Sequence, residues 1–111
     1  ARPSSVSSPS VRRRHLTPTI DVPITSDTEF GGILLRRLRE SANADLGEMY
    51  ELTKISKQFL QAIEENNFDA LPAAVYVRGF VAQYARVLGL DPKQVAASYV
   101  GLYKRYRAEG K

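Results

Sequence analysis

The chain has 111 residues, a net charge of +4 and no cysteine. This length holds one small domain, and the absence of thiols excludes a disulfide framework and a thiolate metal site. The mild positive charge is compatible with nucleic acid or an acidic protein surface but demands neither. No apolar run approaches the ~20 residues of a membrane-spanning helix, and the amino terminus lacks a signal-peptide core.

Residues 1–28 read as a disordered or extended linker. Ala1 to Ser10 is rich in serine and proline and holds too little apolar surface to offset its ordering entropy. Arg12, Arg13 and Arg14 form a short basic run that reads as a solvated charge cluster. His15 follows it with no cysteine, second histidine or carboxylate pair, so no metal site is expected. Thr19 to Thr25 alternates like a strand, but Pro23 interrupts it and no second strand exists to pair with it. The segment is expected to lie extended against the domain. The chain begins at Ala1 rather than methionine, with a long tether in front, and reads as a piece of a longer protein with something upstream.

A five-helix domain is predicted over residues 29–108, followed by a short tail at 109–111. Helix 1 is predicted from Thr28 to Ala42, capped by Asp27 or Thr28, with Ile33, Leu34, Leu35, Leu38 and Ala42 as its apolar face and Arg36, Arg37, Arg39 and Glu40 on the rest. Gly31-Gly32 reads as the way into that helix. Asn43 suits a left-handed turn. Helix 2 runs from Asp45, its N-cap, to Leu52, with Glu48 completing a capping-box-like pair and Leu46, Met49 and Tyr50 as its apolar contribution. Helix 3 runs from Ser56, its N-cap, to Glu65, with Phe59, Leu60 and Ile63 as the core stripe. Phe68 and Leu71 tuck back in a short 3₁₀ segment before Pro72.

Helix 4 is the least ambiguous element. Pro72 ends what precedes it, and Val77, Val81, Tyr84 and Leu88 fall at i, i+4, i+7 and i+11. Gly89 stops the helix in a left-handed conformation, and Asp91-Pro92 opens helix 5, with Val95, Tyr99, Leu102 and Tyr106 in the same spacing up to Arg107. Tyr76 and Phe80 lie four apart but rotated off the stripe of helix 4. They either finish the core or meet a partner.

Two short helices joined by a tight turn, 45–52 and 56–65, form the helix-turn-helix pattern. Gly32-x-x-Leu35-Arg36-x-x-Arg39-Glu40, Thr53-Lys54-Ile55-Ser56, Phe59-Leu60-x-Ala62-Ile63-Glu64-Glu65 and Phe68-x-Ala70-Leu71-Pro72 resemble the bacterial RodZ-type helix-turn-helix domain. So do Val75-Tyr76-x-Arg78-Gly79-Phe80, Tyr84-Ala85 and Leu88-Gly89-Leu90-Asp91. The resemblance spans roughly residues 30–100 and implies an all-α, repressor-like fold of five helices. It also implies a cytoplasmic domain that binds a bacterial actin-like filament protein, with Tyr76 and Phe80 at the positions of the family's contact pair. The sequence departs from the family at Asn43-Ala44-Asp45, at Tyr50 and at Asn66, changes compatible with the same turns and caps. The long linker departs further, because in RodZ the domain starts almost at the amino terminus.

Three functions can be weighed on these residues. In a protein-interaction domain, Tyr76 and Phe80 carry the contact, flanked by Arg78 and Arg86, residue types enriched at interface hot spots. In the alternative, a sequence-specific DNA-binding regulator, helix 3 presents Lys57, Gln58 and Gln61 to base edges while Arg36, Arg37 and Lys54 contact phosphates. Residues 45–66 nevertheless hold five carboxylates against two lysines, a net of −3 on the face that would meet a polyanion. Catalysis has no support: there is no paired carboxylate in a cleft-like context, no nucleophile with a histidine partner and no phosphate-cradling glycine loop. The expectation is a non-catalytic adaptor domain with no cofactor, in the cytoplasm.

Overall fold

Three polar side chains start three of the helices. Asp45 accepts the backbone N–H of Glu48 (2.8 Å), Ser56 that of Phe59 (3.2 Å), and Asp91 those of Lys93 and Gln94 (3.0 and 3.4 Å). Each satisfies donors that a helix leaves orphaned at its amino end. In a computed structural model that describes residues 16–19 and 23–109, the helices are α1 (Gly32–Ser41), α2 (Leu46–Thr53), α3 (Lys57–Glu64), α4 (Ala74–Val87) and α5 (Pro92–Glu109). A 3₁₀ turn at Phe68–Ala70 precedes α4, and the described residues contain no strand. The Arg12–Arg14 run, His15 and residues 20–22 of the strand-like segment lie outside the described residues.

Four residues at positive φ reverse the chain between helices. Asn43 (61°) joins α1 to α2, Lys54 (62°) α2 to α3, Asn66 (54°) ends α3 and Gly89 (74°) ends α4. Asparagine and glycine tolerate this conformation; Lys54 has no such excuse in its side chain. The Lys54 N–H, however, donates to Tyr50 O (2.7 Å) and closes α2 from its C-cap position.

The core is one continuous cluster drawn from every helix. Leu35 and Leu38 of α1, Met49 of α2, Leu60 and Ile63 of α3, Val77, Val81 and Tyr84 of α4, and Val95, Tyr99 and Tyr103 of α5 are all buried. The pair α4–α5, joined by the turn 88–91, has the most extensive contact. The α4 stripe Val77, Val81, Tyr84 and Leu88 is buried as its spacing predicts.

Five expectations are corrected. Helix 1 begins at Gly32, not Thr28: residues 25–28 close a turn, in which Thr25 N–H donates to Thr28 Oγ1 (2.8 Å) and Thr28 N–H to Thr25 O (3.2 Å), and the Phe30 N–H that follows is drawn to Ser98 Oγ (2.7 Å). Ile33, expected on the apolar face, is 69% exposed, whereas Arg39, expected outside, is buried. Tyr50 faces solvent and holds the Lys54 ammonium 5.5 Å over its ring rather than adding to the core of α2. Tyr106 is likewise exposed and donates to Asp69 (2.8 Å), so the buried face of α5 turns through Tyr103.

The start of α1 sits hard against the end of α3. Gly32 N–H donates to Asn66 Oδ1 (2.8 Å), and a methyl group at Gly32 would overlap the carbonyl oxygens of Ile63 and Glu64. On the exposed side of α4, a methyl group at Gly79 would meet nothing within 4 Å. The two glycines therefore respond oppositely to alanine. Gly32→Ala is expected to destabilise by about 1–3 kcal/mol through backbone displacement. Gly79→Ala is expected to stabilise by about 0.5–1 kcal/mol through helix propensity. Urea unfolding midpoints of the two variants check both signs.

Candidate functional site

The exposed side of α4 is set by what its other side buries. With Val77, Val81, Tyr84 and Leu88 fixed inward, a helix turning about 100° per residue puts Tyr76, Phe80 and Gln83 on one flank, within about 60° of each other. Tyr76 is 61% exposed and so does not finish the core. Phe80 is half-buried and stacks on Phe59 of α3, with centroids 5.5 Å apart and planes at 29°. The Phe59–Phe80 stack forms a fixed floor at the α3–α4 junction, and Tyr76 stands free one turn before Phe80. Arg86 belongs beside this strip because its Nη1 donates to Gln83 Oε1 (3.1 Å). Arg78 does not belong there: it lies about 160° around the helix from Tyr76, on the opposite flank. Val75, next to Tyr76 in sequence, is 68% exposed but lies toward the Arg78 flank, about 100° from Tyr76.

Of these residues, Tyr76, Phe80 and Arg86 were expected from sequence; Gln83 was not singled out, and Phe59 was read as part of the core stripe of helix 3. Phe59 carries the signal that could have found it. It precedes Leu60 directly, so the two cannot both point to the centre of the core, and the larger ring takes the rim.

The alternative DNA-reading surface is accessible, and two of its four cations are paired with carboxylates. Lys57, Gln58 and Gln61 are exposed, and Gln61 Nε2 donates to Glu65 Oε2 (3.0 Å). Arg36 is paired with Glu40 (3.0 Å) and Lys54 with Glu51 (3.6 Å); Arg37 is exposed beside Ile33. Residues 45–66 carry a net charge of −3, and Arg36 and Lys54, two of the cations expected to meet phosphate, are already held by carboxylates, so the surface is a weak attractor for phosphate.

Beneath both surfaces lies a polar network that fixes their relative placement. Arg39 makes a two-pronged bond to Glu64, Nε to Oε2 at 2.7 Å and Nη2 to Oε1 at 2.9 Å, and its Nη1 donates to Ala44 O (2.7 Å). The Tyr84 hydroxyl meets Glu64 Oε2, with Leu35 O at 3.2 Å. Four segments are thereby locked: α1, the turn 42–45, α3 and α4. The hydrogen bond to Glu64 pushes the Arg39 pKa up against the opposing effect of its burial. Burial, then the charge of Glu64, pushes the Tyr84 phenol well above its ordinary range, so it stays a neutral donor. Sequence periodicity did not reveal this network. Its signal is that Arg39, four residues after Leu35, and Glu64, four after Leu60, each fall within an apolar arc and carry opposite charges.

Comparison with known families decides what kind of domain this is. A family model described as a helix-turn-helix domain matches residues 34–95, more than half of the chain. The chain belongs to this helix-turn-helix family. Its RodZ-type domain is 35% identical over 68 residues to the cytoskeleton protein RodZ of Streptococcus pneumoniae, an alignment covering 61% of this chain and 25% of that protein. It is also 46% identical over 50 residues to the uncharacterized membrane protein YmfM of Bacillus subtilis, covering 45% of this chain and 17% of that protein. The chain thus spans a quarter or less of the length of these curated relatives. No solved structure matches it significantly. Among the described residues, no helix of this RodZ-type domain is long and apolar enough to cross a membrane.

Proposed function

We propose that this RodZ-type domain is a non-catalytic adaptor of a larger bacterial protein. It docks a cytoskeletal partner, a filament protein of the bacterial actin class, on the cytoplasmic side. The contact face is the flank of α4 formed by Tyr76, Phe80 and Arg86 over the Phe59 floor. The observation that carries the reading is Tyr76, a large aromatic 61% exposed beside a rigid half-buried ring pair. An exposed tyrosine next to a preorganised aromatic floor and an arginine is the composition of an interface hot spot. The similarity to the pneumococcal cytoskeleton protein supports the class of partner.

Tyr76→Ala is the sharper probe of the two aromatics, because removing Phe80 also removes the stack on Phe59. Tyr76→Ala is expected to weaken cosedimentation with actin-class filaments by about 30-fold or more, equivalent to at least 2 kcal/mol. Its unfolding free energy is expected to stay within about 0.5 kcal/mol of the parent. Arg78→Ala, on the other flank, is expected to bind as the parent does. Unchanged binding by Tyr76→Ala removes this face from consideration. Salt-sensitive amide shifts at Lys57, Gln58 and Gln61 on titration with duplex DNA return the function to nucleic acid.

A further inference from the structure

The carboxyl ends of α1 and α4 lie side by side, and a segment with no regular structure bridges them. Leu16 is 1% exposed and its N–H donates to Val87 O, a terminal carbonyl of α4. Thr19 N–H donates to Ser41 Oγ (3.1 Å) and Thr19 Oγ1 to Ser41 O (2.8 Å), the last residue of α1. One apolar side chain and three hydrogen bonds thus hold the extended sequence Leu16-Thr17-Pro18-Thr19 in place. The three bonds complete polar groups that water can also satisfy once the segment leaves. Thr17 and Thr19 are exposed, and an open groove of about 350 Å³ runs beside the segment, lined by Ile24, Leu38, Leu88 and Leu90. The segment lies outside residues 34–95, the stretch that matches the family.

We infer that residues 16–19 are a releasable latch: the domain carries a binding site for a short extended Leu-x-Pro-Thr peptide, and its own chain fills that site in cis. The recognition elements are one apolar pocket for the leucine, the Val87 carbonyl for its amide, and the Ser41 hydroxyl and carbonyl for the threonine that ends the motif. Proline between them cannot donate and favours the extended backbone that the site requires. The features of the latch place it at the low-stability end of the molecule, where local opening precedes global unfolding. The site is distinct from the Tyr76 flank, which lies toward the other end of α4.

Two measurements on the full chain test the latch. In native-state hydrogen exchange, the amides of Leu16 and Thr19 are expected to exchange at least 100-fold faster than those of Val81 and Tyr84. Exchange of all four together, through global unfolding only, overturns the proposal and makes the segment a fixed part of the core. In the second, a synthetic peptide of residues 13–22 is titrated into the full chain carrying Leu16→Ser. Saturable shifts are expected at Leu38, Ser41, Val87 and Leu88, and the same peptide with Leu16→Ala is expected to bind at least 10-fold more weakly. A folded Leu16→Ser chain that does not bind the peptide, or that binds both peptides alike, overturns it. Should Leu16→Ser unfold, the exchange rates of the parent chain decide alone.

Discussion

Arg39→Met is expected to cost about 3–5 kcal/mol of folding free energy, measured by chemical denaturation at neutral pH. The substitution keeps most of the side-chain volume and removes the cation. Glu64 is then left buried without the guanidinium that met both of its carboxylate oxygens, and the Ala44 carbonyl loses its donor. A small domain is stable by roughly 5–15 kcal/mol, so the loss is a large fraction of the total. The double change Arg39→Met with Glu64→Leu is expected to recover most of it, since replacing both members of a buried pair by apolar groups is often neutral or better. A double variant as unstable as the single one would show that the loss came from packing and not from the stranded charge. Tyr84 makes the recovery incomplete, because its hydroxyl keeps only Leu35 O as a partner.

Alkaline pH is the second large lever. Tyr84 and Tyr99 are both buried, and burial raises the pKa of each phenol above the ordinary value of about 10. In Tyr84 the adjacent Glu64 charge adds to that rise, while the Tyr99 hydroxyl is occupied in donating to Ile63 O (2.7 Å). A folded-state pKa above the unfolded one means that the unfolded chain releases these protons first. The stabilisation is therefore complete below about pH 10 and declines as pH rises beyond it. Each tyrosine contributes a decline of about 1.4 kcal/mol per pH unit, so the two together are expected to remove roughly 4–5 kcal/mol between pH 10 and 12. Unfolding free energies followed by circular dichroism across that range check the slope. In Tyr99→Phe the slope is expected to halve.

Elements whose cause is local were legible from sequence. Asp45, Ser56 and Asp91 cap the helices they precede, and Asn43, Asn66 and Gly89 take the left-handed turns, because in each case a side chain or its absence acts on its own backbone. The α4 stripe was legible because four apolar residues at helical spacing leave one buried face. What depended on a distant segment was not. The first turn of α1 is delayed to Gly32 by bonds to Ser98 and Asn66, from 68 and 34 residues away. Arg39 was read as solvent-facing because a charge is assigned outward until its partner is known, and Glu64 lies 25 residues on. The candidate face was half legible. Periodicity separates Tyr76 and Phe80 from the core stripe, but the floor under them comes from Phe59 on another helix. Arg78, close by in sequence, is carried to the far flank by the helix itself.

The burial of Leu16 and Phe30 on one side of the matched stretch, and of Tyr99, Val100 and Tyr103 on the other, separates two notions of a module. The stretch that matches the family model, residues 34–95, is narrower than what must condense together to exclude water. The matched portion supplies the helix-turn-helix and the exposed flank of α4. The residues on either side close the core of the matched stretch, so how firmly its surface is held depends on sequence outside that stretch.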